Sequence, residues 1–269
     1  MAAGPKIFFD TSLCIDVGNG RLGESPSWVY REFRYHISPL TVYELVAGLD
    51  TGQDRYFNRN REAIRAVYPT GPKRFLPLLR SFIPKQLFGE TVKLPPSVDV
   101  DFDLWIKAVL KARTREELES GKLKVGLKGR KGIGLRLESI NEQMRRIEDG
   151  FANLLTAFRK SGAPSLTPGI WAKLILDSMG KVVTPENVGT LLQRLDAAYR
   201  FEERIWGFIT SPNYNFAKHR SELVDAHQLT YLCDPDLYMV TSDERLRKAI
   251  AGSPQSTRVV TYNELKRLV

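Results

Sequence analysis

Two short apolar runs constrain this chain most: Lys-Ile-Phe-Phe-Asp at 6–10 and Leu-Tyr-Met-Val-Thr-Ser-Asp at 237–243. Each reads as a strand with little polar alternation that ends at an acid, the pattern of a strand buried on both faces in a parallel sheet. Parallel strands need crossover connections, which helices usually supply. Thr11 and Ser12 can cap a helix after the first run, with Gly18, Gly20 and Gly23 ending it. A second strand is expected at 34–38, then a helix at 40–49 that Pro39 starts and Ser38 caps. Toward the other end, a helix is expected at 220–233 and another at 243–250, capped by Ser242 or Asp243. A last strand at 258–261 and a helix at 262–268 complete that half.

The middle is mostly helical, with helices expected at 54–67, 75–88, 101–119, 135–160, 168–178, 185–195 and 196–209. A Gly/Lys-rich loop fills 121–134. The economical arrangement is an α/β domain made of residues 1–53 and 211–269, with a right-handed, mainly parallel sheet, carrying 54–210 as a helical insertion. Trp105, Phe151, Phe158, Trp171 and Trp206 fall on apolar helical stripes and are expected in the core.

Four acids stand at the strand ends or on helices beside them: Asp10, Glu44, Asp225 and Asp243. Each has apolar neighbours, where an isolated charge loses hydration. Converging carboxylates raise one another's pKa values, and a hard divalent cation such as Mg²⁺ or Mn²⁺ relieves that repulsion through oxygen ligands. In an open α/β sheet, ligands bind beyond the carboxyl ends of the strands, where Asp10 and Asp243 would sit. Taken singly, each acid reads equally as a helix cap or a solvated residue. Asp16 would point away from Asp10, and His227 lies on a different helix face from Asp225.

The two cysteines, Cys14 and Cys233, lie in apolar text and form no disulfide framework. They read as small buried thiols. His36, His219 and His227 complete no zinc-ligand spacing with them. The chain opens directly on KIFFD, without a secretory h-region, and no stretch is long and apolar enough to span a bilayer. The expectation is a cytoplasmic protein with no membrane partner.

The net charge of +9 points to an anionic partner, nucleic acid being the commonest. Residues 107–146 hold twelve Lys/Arg against five Glu, a local excess of seven. Within them, Lys124, Lys128, Arg130 and Lys131 lie in Gly-rich text that could follow a phosphate backbone. The plainer reading is a solvated loop. No Walker ending follows, so nucleotide hydrolysis is not expected.

Four passages together resemble the PIN-domain nucleases, including VapC-like toxins: FFDTSLCIDV, ISPLTVYELVAGL, SELVDAHQLTYL and LYMVTSDERL. Their order agrees with the family, as does the 18-residue step from Asp225 to Asp243. The resemblance implies a three-layer α/β/α fold in which Asp10, Glu44, Asp225 and Asp243 hold one or two Mg²⁺ or Mn²⁺ ions and hydrolyse phosphodiester bonds. Thr11, Thr241 and Ser242 would shape the pocket. It implies RNA as the substrate, with DNA open, an antitoxin or other protein partner, and a homodimer. A degenerate module that binds RNA or a protein without cutting is the alternative. The 181 positions between Glu44 and Asp225 depart from the small family members and leave room for the insertion.

Overall fold

A computed structural model describes residues 4–47, 49, 54–68, 75–92, 102–119, 124–125, 133–134, 137–160, 162 and 165–268. In chain order the first elements are β1 (Lys6–Phe9), α1 (Thr11–Gly18), α2 (Val29–Glu32), β2 (Arg34–His36), α3 (Pro39–Ala47) and α4 (Asp54–Val67). Next come α5 (Leu79–Phe88), α6 (Phe102–Lys111), α7 (Arg115–Glu119), β3 (Lys124–Val125), β4 (Ile133–Gly134) and α8 (Leu137–Lys160). The last are α9 (Pro168–Ser178), α10 (Pro185–Ile209), α11 (Phe216–Thr230), β5 (Leu237–Val240), α12 (Glu244–Ala249), β6 (Val259–Val260) and α13 (Tyr262–Leu265). The chain is α/β with parallel strand pairing. Among the described residues no helix is long and apolar enough to cross a membrane.

Two compact units divide the chain. The first holds residues 1–76 and 95–148, and the second 77–94 and 149–268. This division runs across the expected one, since 1–53 and 211–268 fall in different units.

In the first unit, β1 pairs in parallel with β2, in the register Ile7↔Tyr35 and Phe8↔His36. Ile7, Phe8 and Phe9 are all buried, so β1 is covered on both faces as its unbroken apolar run requires. Leu13 and Cys14 of α1, Val42, Leu45 and Val46 of α3, Ile64 of α4 and Trp105 of α6 complete this core. A Cβ at Gly18 would lie 2.5 Å from the Ala63 backbone nitrogen, so the α1–α4 approach demands glycine there. The expected helix at 101–119 is two helices, because the Thr114 hydroxyl accepts the Glu117 N–H at 3.2 Å and opens α7. Within the expected loop at 121–134, β3 and β4 pair antiparallel.

In the second unit, β5 pairs in parallel with β6, in the register Met239↔Val259 and Val240↔Val260. Residues 185–209, expected as two helices, form one element bent at Leu195 (φ −126°, ψ 19°). At the bend the buried Gln255 amide accepts from Ala197 N at 3.2 Å and donates to Gln193 O at 2.9 Å. The helix α11 begins at Phe216, earlier than expected, bends at His219, and ends at Thr230 in a short 3₁₀ turn, Tyr231–Cys233. The five helical aromatics expected in the core are all buried.

Glu202 of α10 is only 1% exposed, and Trp171 Nε1–H donates to its Oε2 at 2.9 Å. Burial pushes this carboxyl up to about 7, while the Trp171 N–H pulls the other way. Folding therefore favours the protonated acid, and the stability it gives below about pH 4.5 is lost as pH rises to about 7. Across that window the wild type should lose about 3 kcal/mol relative to Glu202→Gln, read from urea midpoints. Parallel stability curves for the two proteins would contradict this.

Candidate metal centre

Asp10 and Glu44 come together in the first unit. Asp10 follows β1 and is the N-cap of α1, a role expected for Thr11 or Ser12. Its Oδ1 accepts the Leu13 N–H at 2.9 Å, and its Oδ2 accepts the Ser12 hydroxyl at 2.8 Å. The acid is cap and candidate ligand at once, since a strand-ending Asp before a helix is itself a cap signal. At 2% exposure, Asp10 is a carboxylate held in a dry turn by two donors.

Glu44 is fixed beside it. Thr11, the residue after Asp10, donates its hydroxyl hydrogen bond to Glu44 Oε2. The helix α3 that carries Glu44 is anchored by Thr41, whose hydroxyl donates to Phe9 O at 3.0 Å. Ser38 caps α3, as expected, its Oγ accepting the Thr41 N–H at 3.4 Å. The thiol of Cys14 feels both acids. Burial raises its pKa well above the ordinary thiol value, and the charges of Asp10 and then Glu44 raise it further. Thr41 was not singled out in the sequence, although a threonine two residues after the helix-starting Pro39 is a local signal.

Asp225 and Asp243 belong to the second unit. Asp225 lies half-buried on α11 between the buried Val224 and Ala226. The chain that follows that helix is held by two arginines. Arg258 donates to the Leu232, Asp234 and Leu237 carbonyls at 2.7, 2.6 and 3.1 Å, and Arg194 Nε donates to Cys233 O at 3.1 Å. His227 is half-buried: its Nδ1–H donates to Leu223 O at 2.9 Å, and its ring packs edge-on against Phe151. Burial brings its pKa down to about 4, so the ring is neutral.

Asp243 is the N-cap of α12, its Oδ1 accepting the Arg245 and Leu246 N–H groups at 2.7 and 3.2 Å. Thr241 is buried: its N–H donates to Val260 O and its Oγ1 accepts the Asp243 N–H, both at 2.9 Å. Thr241 thus joins β6 to the turn that aims Asp243. Ser242 is exposed. Arg245 reaches Asp243 Oδ2 at 3.5 Å from an exposed position, where such a pair adds little.

Among the described residues no group of three or more His, Cys, Asp and Glu is gathered as a metal-binding cluster. The donor chemistry of the Asp10–Glu44 pair nevertheless fits Mg²⁺, which typically takes one or two carboxylates and keeps several waters. The Asp10 oxygens are already oriented by the Leu13 N–H and the Ser12 hydroxyl of the α1 turn. Of the basic residues expected to meet nucleic acid, Lys124 lies on β3, while Lys128, Arg130 and Lys131 lie outside the described residues.

Comparison with protein-family models, with curated proteins and with solved structures finds no match for this chain. The site therefore stands on its own chemistry.

Both thiols are shut away, Cys14 beside the acids and Cys233 under the two arginines. Burial pushes Cys233 up to about 12. As the thiolate is the reactive form, neither cysteine should react with Ellman's reagent at pH 8 in the native protein, and both should react once denatured. Rapid native reaction at either site would contradict the buried placement.

Proposed function

We propose that the chain is a metal-dependent nuclease, foremost an endoribonuclease, with a three-layer α/β/α core of the PIN type. Asp10, Glu44, Asp225 and Asp243 are its acidic residues. The observation that carries the reading is the Asp10–Thr11–Glu44 arrangement. Two acids 34 residues apart are fixed to one another at the carboxyl end of a buried parallel strand. Structural economy alone gives no reason to hold two carboxylates around a threonine beside a buried thiol, because their mutual repulsion opposes it.

Each residue has a task. Leu13 N–H and the Ser12 hydroxyl orient the Asp10 carboxylate. Thr11 and Thr41 fix the rotamer and the helix position of Glu44. Thr241 and the first turn of α12 orient Asp243. Bound Mg²⁺ or Mn²⁺ supplies Lewis-acid stabilisation of the phosphoryl oxygens and lowers the pKa of a bound water. The chain's excess of Lys and Arg draws in the polyanion.

Asp10→Asn removes a ligand charge but retains an oxygen for the Leu13 cap, so the fold should survive. Metal-dependent cleavage of RNA should fall on the order of 10³-fold, with the circular dichroism spectrum unchanged. Equal cleavage by wild type and Asp10→Asn would overturn the assignment. RNA binding by the wild type with no cleavage in Mg²⁺ or Mn²⁺ would mark it as a non-cutting module.

A further inference from the structure

We infer that Arg55 and Arg59, set about the ring of Tyr56 on α4, form a docking site for the phosphate backbone of single-stranded RNA. The inference rests on the nuclease reading and names a surface by which the substrate would be held. Arg55 and Arg59 each lie 4.8 Å from the Tyr56 ring centroid. Arg55 also donates to the Tyr56 hydroxyl at 3.1 Å, and Arg59 Nε donates to Asn60 Oδ1 at 3.0 Å. Asn60 is buried and donates to Leu45 O at 2.8 Å, so the Arg59 contact is tied to the core.

The other arginines of this helix are spent differently. Arg61 caps the end of α6 through the Ala112 and Arg113 carbonyls at 3.0 and 2.9 Å, and Arg65 is held by Glu62 at 2.6 Å. Among the described residues the contacts of Arg55 and Arg59 are with Tyr56 and Asn60, which carry no opposite charge. Two guanidinium groups thus stand within twice 4.8 Å of each other. Their repulsion is only partly screened over such a distance. An anion reaching both relieves it.

The ligand class follows from geometry. A guanidinium offers a planar fork that matches phosphate oxygens, and contact with an aromatic ring limits the entropy lost when it binds. Residues four apart on a helix are surface neighbours, so two forks can engage adjacent groups of a repeating polyanion. The Tyr56 ring is already engaged by two cations, which favours backbone contact over base stacking on it. The α4 contact with Leu45 adjoins Glu44, so the pair lies along the helix that braces the acidic site.

Fluorescence anisotropy of a labelled 12-nucleotide polyuridine in EDTA, over a range of salt, isolates binding from cleavage. Arg55→Gln with Arg59→Gln should weaken binding about tenfold and lower the salt slope by about 1.4, the value for two single-strand phosphate contacts. Arg55→Lys with Arg59→Lys should restore most of the slope but not all of the affinity. Unchanged affinity and slope in the Gln variant, with a native circular dichroism spectrum, would overturn the inference while leaving the nuclease reading in place. Retained RNA binding with lost binding to polyglutamate would also overturn it, in favour of an acidic protein partner. A wild type that neither binds nor cuts RNA would remove the nuclease reading itself.

Discussion

Asp10 leaves β1 as a charged residue and enters a turn where almost no water reaches it. Its hydrogen bonds to the first turn of α1 make that tolerable, since a buried polar group costs far less once it is hydrogen-bonded. The arrangement fixes the start of α1, and with it Thr11, whose hydroxyl fixes Glu44. The Thr41 bond to Phe9 O closes the loop from the other side, joining α3 to the same strand end. Local structure and candidate chemistry therefore depend on one turn of chain.

The second unit uses side chains to repair backbone it has interrupted. Gln255 bonds both an N–H and a carbonyl at the Leu195 bend, and Arg258 gathers carbonyls around the 3₁₀ turn that follows α11. Buried polar backbone groups must find partners, and both repairs come from far along the chain. The same unit tolerates one expensive group, Glu202, whose burial favours the neutral acid.

Elements with strong local punctuation were legible from the sequence. The helices Asp54–Val67 and Pro168–Ser178 and the strand Leu237–Val240 have the expected limits, the second because Thr167 caps it and Pro168 occupies its first position. The burial of β1 followed from its unbroken apolar run. What depends on distant partners was not legible: Gln255 lies 62 residues from Gln193, and Trp171 lies 31 from Glu202. The caps were misassigned at Asp10, where one residue serves both a turn and a candidate site. The pairing of Asp10 with Glu44 was suggested by the strand-end acid and the following helix, but Thr11 as the link between them required coordinates.

Equilibrium binding of Mn²⁺, followed by electron paramagnetic resonance, tests most directly whether these acids serve a metal. The wild type should bind the ion, and Asp10→Asn and Glu44→Gln should each weaken binding about tenfold or more. Wild-type protein that leaves Mn²⁺ free, or binding untouched by Asp10→Asn, would contradict the metal-centred reading.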